Sequence, residues 1–467
     1  MMAAETQQAA ERGGFCMSLA EAAACCEARA QGAEVILQGV STDTRRLQPG
    51  NLYIALRGER FDGHDFVAAA AERGAAAVMI DQDCDTTLPV LRVDNTRTAM
   101  GRLAACWRSR FDIPLVAVTG SNGKTTVKEM LASIFSRRGE VLATQGNLNN
   151  DIGVPLTLFR LDARHDSAVI EMGANHAGEI DYLAGLATPG VGVVTNAGPA
   201  HLEGFGSLEG VARAKGELFA RLAPDATAII NADDPFCSLW REMASHCRRM
   251  SFGIDHEADV RGRSIHLGET TRYSTLIPGE RAFSISLPLP GRHNVMNALA
   301  ATAAALAAGF SMEEVMHGLM LLRPVQGRLQ ARAGRHGSRV IDDTYNANPE
   351  SLQAAIDVLA AFEGRRVLVL GDMAELGEKA PQLHWQAGRR AHEQGIDALY
   401  TLGELAQQAA AAFGRKAHSL ADHDRLIRAL EEELSDSTTI LVKGSRTMQM
   451  EKVVSALVDD AADNNGA

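Results

Sequence analysis

The stretch that most limits what this chain can fold into is Thr119-Gly120-Ser121-Asn122-Gly123-Lys124-Thr125-Thr126. An apolar run over residues 113–118 precedes it and reads as a buried strand. Behind it, Val127, Met130, Leu131, Ile134 and Phe135 recur at helical spacing. Strand, glycine-rich turn and helix together form the setting of a phosphate-binding loop. Backbone N–H groups and the helix N-terminus face the anion, Lys124 neutralises charge, and a threonine hydroxyl can reach Mg²⁺. Val118 stands where the longer Walker form carries a glycine, so the match is to a shorter G-x-x-G-K-T form. The alternative is a glycine turn with a solvated lysine, and the flanking strand and helix weigh against it. The chain is expected to bind a nucleotide.

At 467 residues there is room for two to four domains with ample core. A net charge of −12 argues against a nucleic-acid surface, so an anionic ligand must be met by local groups. No apolar run is long enough for a membrane span. Residues 1–14 are polar and read as a disordered tail rather than a targeting signal. The seven cysteines contain no C-x-x-C pair, which points to reduced thiols in a cytoplasmic setting and away from a zinc site.

Residues 15–89 read as a small α/β unit. Leu52-Tyr53-Ile54-Ala55-Leu56 and residues 76–80 are its strands, and an Ala-rich helix follows His64. Asp43 with Arg45, and His64 in an Asp/Gly turn, are candidate ligand contacts; the residues alone favour a turn ion pair and an Asx turn. Residues 96–111 form an amphipathic helix with Trp107 on its core face. In the central region, residues 90–327, apolar runs end on polar residues: at Glu171, at Thr195-Asn196, and at Asn231 and Asp233. Such runs between helices predict a parallel sheet covered on both faces, with the ligand beyond the carboxyl ends of the strands. Lys124, Thr125, Glu171, Asn196 and, shortly after, His201 would gather there.

Asn147, Asn149 and Asn150 lie in an Asn-rich loop, which by itself is a turn. Lys215 lies within a helix and, with Glu217 two residues on, reads by itself as a surface lysine. Residues 252–290 alternate in polarity and predict an antiparallel addition. Asn294 is placed to cap a helix from residue 295 to 308, while His293 and Asn297 need not point inward. Residues 323–328 look like a hinge. Residues 328–467 then resume the α/β alternation as a Rossmann-like third domain without G-x-G-x-x-G, so a dinucleotide is not indicated. The tail from residue 459 reads as frayed.

With these stretches assembled, the chain resembles the Mur ligases over residues 40–454. Besides the phosphate loop, the resemblance rests on residues 146–155, Glu171-Met172-Gly173-Ala174-Asn175-His176, residues 200–207 around His201, Ala214-Lys215-Gly216-Glu217 and Gly291-Arg292-His293-Asn294. Residues 343–349, residues 370–377 and Val442-Lys443-Gly444-Ser445-Arg446 complete it. Within the family it more closely resembles the branch that joins D-Ala-D-Ala to UDP-N-acetylmuramoyl-tripeptide. The family implies a UDP-binding first domain, a central ATPase and a third domain that closes over ATP. Asp43-Thr44-Arg45 replaces the usual Asp-Ser-Arg and keeps a hydroxyl.

The resemblance also implies site roles. ATP is held by Gly120, Ser121, Asn122, Gly123, Lys124, Thr125 and Thr126, with His293, Asn294 and Asn297 near adenine and Arg328 and Asp343 at phosphates and ribose. Thr125 and Glu171 would hold one Mg²⁺, and His201 and Lys215 a second, Lys215 being carbamylated by CO₂. Lys124, Glu171, His201 and Lys215 are thus the implied catalytic set. Asp43, Arg45, His64, Asn147, Asn149, Asn150, Lys443 and Arg446 fall to the substrate, Lys443 and Arg446 standing against a surface pair as the alternative. The expected protein is a cytoplasmic, monomeric amide ligase. Its rivals are sibling ligases sharing the ATPase core, and a P-loop switch that ligates nothing. Against a diaminopimelate-adding sibling, the Asp-Asn-Pro-Arg stretch is absent.

Overall fold

The computed structural model describes residues 14–199 and 202–459. All but the innermost residue of each expected tail, that is residues 1–13 and 460–467, and His201 lie outside the described residues. Three sheets define the architecture, with a short antiparallel pair, Cys16–Ser18 against Ile36–Gln38, beside the first.

The first sheet runs in the order Arg29–Gln31, Val90–Arg92, Ala77–Ile80, Leu52–Ile54, Val40–Ser41. Its first pair is antiparallel and the rest are parallel. Val90–Arg92 lies just past the boundary placed at residue 89, so the sheet closes three residues later than the sequence suggests. The cut is also less deep than expected. Met17, Leu37, Ile54 and Met79 of the first unit share one buried core with Met100, Leu103 and Trp107, and with Leu142, Val154 and Leu158 of the central unit. Helix Thr96–Arg108 is the shared wall, and Trp107 Nε1 donates to Leu161 O at 3.1 Å across it. On that wall Cys106 is bonded to Cys25 of helix Leu19–Cys26, so two of the seven thiols expected to be reduced are paired. The two helices pack side by side and bring the Cα atoms to 5.8 Å, within bridging range.

The central sheet has nine strands, ordered Phe283–Leu287, Thr271–Leu276, Val260–His266, Arg248–Gly253, Thr227–Asn231, Val191–Val194, Leu115–Thr119, His165–Glu171, Glu140–Ala143. From Val260–His266 to Glu140–Ala143 every pairing is parallel. The last two strands of the alternating segment are the antiparallel addition, while its first, Val260–His266, joins in parallel. Both faces are covered, as the apolar runs required. Val116 and Val118 pack with Val127, Met130, Leu131 and Ile134 in one core; Leu115 and Ala117 face the other.

The third sheet is ordered Gln330–Ala333, Arg339–Asp343, Thr438–Lys443, Arg365–Gly371, Ala398–Leu402, Ala417–Leu420 and is parallel except at the Gln330–Ala333 edge. It has its own cores on its two faces.

Candidate active site

The phosphate loop is held from the neighbouring strand end. Ser121 N–H donates to Asn196 O (3.1 Å), Asn122 N–H to Asn196 Oδ1 (2.9 Å), and Thr195 Oγ1 to Asn122 O (2.6 Å). Two glycines make this closeness possible. Gly120 and Gly123 have φ of +141° and +82°, and a Cβ on them would lie 1.9 Å from Thr195 Oγ1 and 2.3 Å from Asn297 Oδ1. The helix Lys124–Phe135 starts directly behind, aiming its free N–H groups into the loop.

Lys124 Nζ donates to Gly120 O (2.7 Å) and Ser121 O (3.1 Å), and burial pulls its pKa down against the opposing pull of Glu171. Thr125 Oγ1 donates to Glu171 Oε2 (2.9 Å), and Asn149 Nδ2 to Glu171 Oε1 (2.8 Å). A hydroxyl and a buried carboxylate side by side are the kind of sparse hard-oxygen pair that Mg²⁺ accepts when phosphate and water complete its shell. Asn150 serves the chain itself, accepting from Gly153 N–H (2.8 Å) at the start of helix Gly153–Leu158, and Asn147 O accepts from Asn149 N–H (2.8 Å).

Lys215 departs furthest from the bland reading. It is 3% exposed in helix Leu208–Arg221, with Nζ donating to Ala174 O at 3.3 Å and lying 5.2 Å from the Phe205 ring centre. Burial first, then the Lys124 cation, push its pKa down to about 7. The sequence held a signal for this: Val211, Leu218 and Phe219 stand at i−4, i+3 and i+4, so Lys215 lies on the apolar stripe.

A cavity of about 350 Å³ joins these groups. Gly120 through Thr125, Asn147, Asn149, Asn150, Glu171 and Lys215 line it from the central domain. Arg328, Tyr345, Asn348, Ser445 and Arg446 line it from the third. A second cavity of about 210 Å³ lies alongside, bounded by Asn122, Gly123, Thr126, His293, Asn294, Asn297, Arg328, Asp343 and Lys443. Arg328 borders both; its guanidinium stacks on Tyr345 at 4.0 Å and its buried Nε has no protein partner, which leaves a donor for a ligand.

The helix bearing His293 begins at Arg292, three residues earlier than expected, so Asn294 sits in its first turn rather than at its cap. Asn294 Nδ2 donates to Pro290 O (2.7 Å) and its Oδ1 accepts from Asn297 Nδ2 (3.1 Å). Asn297 is buried and faces the cavity, unlike the sequence expectation that it need not point inward. Burial and the Lys443 cation push His293 down to about 4, so its ring is neutral near pH 7.

Lys443 is buried, which goes against the surface-pair alternative for this residue. Its Nζ meets Asp343 Oδ2 at 2.5 Å and donates to Asn346 O (3.0 Å). Burial disfavours the charge of both Lys443 and Asp343, and each is retained by the other. Arg446 remains exposed, 3.2 Å from Glu451.

The first-domain candidates line neither cavity. Arg45 makes a bidentate pair with Asp43, holding that carboxyl down to about 2, and stays exposed. His64 is buried, with Nδ1 2.5 Å from Asp62 and Nε2 accepting from Asp81 N–H (3.3 Å). Both follow the turn readings that the residues alone favoured.

The fold and this site define a ligase of known type: the chain belongs to the Mur ligase family. The Mur ligase middle domain matches residues 118–305, the glutamate ligase domain residues 327–446, and the Mur ligase catalytic domain residues 36–108. Within the family it is similar to UDP-N-acetylmuramoyl-tripeptide–D-alanyl-D-alanine ligase of Escherichia coli K12, 45% identical over 92% of this chain and 96% of the relative. It also resembles the crystal structure of MurF from Acinetobacter baumannii (36% identity, 95% and 98% coverage, TM-score 0.90). Its likeness to MurF from Thermotoga maritima in complex with ADP is 28% identity, 90% and 96% coverage, TM-score 0.82.

Proposed function

We infer that this chain joins D-Ala-D-Ala to UDP-N-acetylmuramoyl-tripeptide at the expense of ATP, giving the pentapeptide precursor of peptidoglycan. The observation that carries the reading is the shared cavity. Phosphate-loop donors, an Mg²⁺-type oxygen pair, a buried lysine and third-domain cations surround one space beyond the strand ends. A carboxylate is a poor electrophile, so the tripeptide carboxylate first takes the γ-phosphoryl group of ATP as an acyl phosphate. The amine of the dipeptide attacks, and phosphate leaves. Both steps gather negative charge, which makes catalysis chiefly positioning and neutralisation.

In this reading Lys124 and the N–H groups of residues 120–126 grip the β- and γ-phosphates, and Arg328, which borders both cavities, contributes charge to each. Thr125 and Glu171 fit one Mg²⁺. When bound it supplies charge neutralisation across the phosphate oxygens. For Lys215 an ammonium beside a cation is unfavourable. The neutral amine can take up CO₂ as a carbamate, releasing a proton and becoming an anionic ligand; its lowered pKa supports that reading. His201 completes this second set in the proposal. We further assign the enzyme to the cytoplasm as a monomer, where ATP and nucleotide-linked sugars are found; among the described residues no helix is long and apolar enough to cross a membrane.

The test is ADP release with UDP-N-acetylmuramoyl-tripeptide, Mg²⁺ and ATP, with and without D-Ala-D-Ala. Dipeptide-dependent release with a pentapeptide product is expected. Release driven by a single amino acid would make this a sibling ligase, and release indifferent to both would overturn the ligase reading.

A further inference from the structure

Both ends of the Asn122 side-chain amide reach the third domain. Its Nδ2 donates to Glu350 Oε2 at 2.9 Å, and its Oδ1 accepts from Asn348 Nδ2 at 2.8 Å. Meanwhile its backbone is locked into the central sheet through Asn196 and Thr195. One phosphate-loop residue is therefore held by two domains at once.

The third-domain side is built for this contact. Asn348 caps helix Pro349–Ala360, its Oδ1 accepting from Ser351 N–H at 2.9 Å, which fixes the amide so that Nδ2 points outward. Glu350 lies in the first turn and reaches into a slot beside Gly198, where a Cβ would stand 2.0 Å from its Oε2. Gly198 is itself tied to the loop, with Ser121 Oγ accepting its N–H at 2.9 Å. Among the described residues no cation pairs with Glu350. Burial lifts its carboxyl, and the Asn122 amide is the group that opposes the lift. A carboxylate in that setting is costly unless its hydrogen bond matters to the closed form.

We propose that Asn348 and Glu350 are positioning residues that latch the phosphate loop through Asn122, so that the grip on nucleotide phosphates is set by third-domain closure. With the latch made, the loop N–H groups are fixed for the phosphates. When the third domain swings away, Asn122 loses both partners and the loop loosens, releasing ADP. The inference rests on the ATP-dependent reading above, but its test needs no ligation.

ADP affinity and the dissociation rate of a fluorescent ADP analogue are measured on the full chain with Mg²⁺. Glu350→Ala is expected to weaken binding and speed release by roughly tenfold, while Glu350→Gln, which keeps an acceptor for Asn122 Nδ2, stays within about twofold. Gly198→Ala leaves the latch residues intact and fills the slot, so it should reproduce the loss. In Asn122→Ala the further change Glu350→Ala should cost nothing more. Wild-type ADP release in both Glu350→Ala and Gly198→Ala would overturn the latch, as would equal losses in the Gln and Ala variants of Glu350. Because these measurements omit tripeptide and dipeptide, a failed pentapeptide assay would strike the ligase reading alone.

Discussion

At the scale of single residues, the most consequential group is a lysine buried where a charged one is expensive. With a pKa near 7 the neutral fraction of Lys215 grows as pH rises through that value and shrinks below it. Activation by added bicarbonate should therefore rise from about pH 6 to pH 8. Lys215→Ala should abolish turnover, and short carboxylic acids should restore part of it by standing in for the proposed carbamate. A near-wild-type variant would remove the carbamate from the mechanism. The phosphate loop makes a second demand, because Gly123→Ala places a methyl 2.3 Å from Asn297 Oδ1 at a φ of +82°. We expect ADP binding to fall by at least about tenfold, with a lowered melting temperature, by calorimetry and thermal melt. Much at this scale was legible. Glycine spacing fixed the loop, and the apolar neighbours of Lys215 marked its face. The Asn122, Asn348 and Glu350 contact was not, because local spacing says nothing of partners 226 and 228 residues away.

At the scale of elements, apolar runs ending on polar residues correctly announced parallel strands with a site at their ends, since a strand buried on both faces leaves no other pattern. What escaped was pairing. Val260–His266 alternates like an antiparallel strand and yet joins its neighbour in parallel, because alternation reports one wet face and not the direction of the partner. Val90–Arg92, which pairs into the first sheet, likewise escaped as a strand, since three residues carry little periodicity. Helix Thr96–Arg108 offers a direct test of the shared core. Trp107→Ala should cost about 3–5 kcal/mol, and the first and central units should lose structure in one transition. Two separated transitions in denaturant, followed by fluorescence and circular dichroism, would show that the core is divided after all.

At the scale of the whole molecule, the first and central domains are one body and the third is another. The first two share a core, whereas the third keeps its own cores and meets the phosphate loop mainly through polar side chains. Fluorescent labels on the first and central domains should hold their separation when ADP binds, while a label on the third moves relative to both. A nucleotide-dependent change within the first pair would refute the two-body description. The chain crosses between the two parts once, at residues 323–328; as a joint, that crossing would swing about three-tenths of the chain through solvent. If opening of that joint limits each cycle, the enzyme works against friction as well as chemistry. Turnover should then slow in proportion as sucrose thickens the medium, the behaviour of a damped gate.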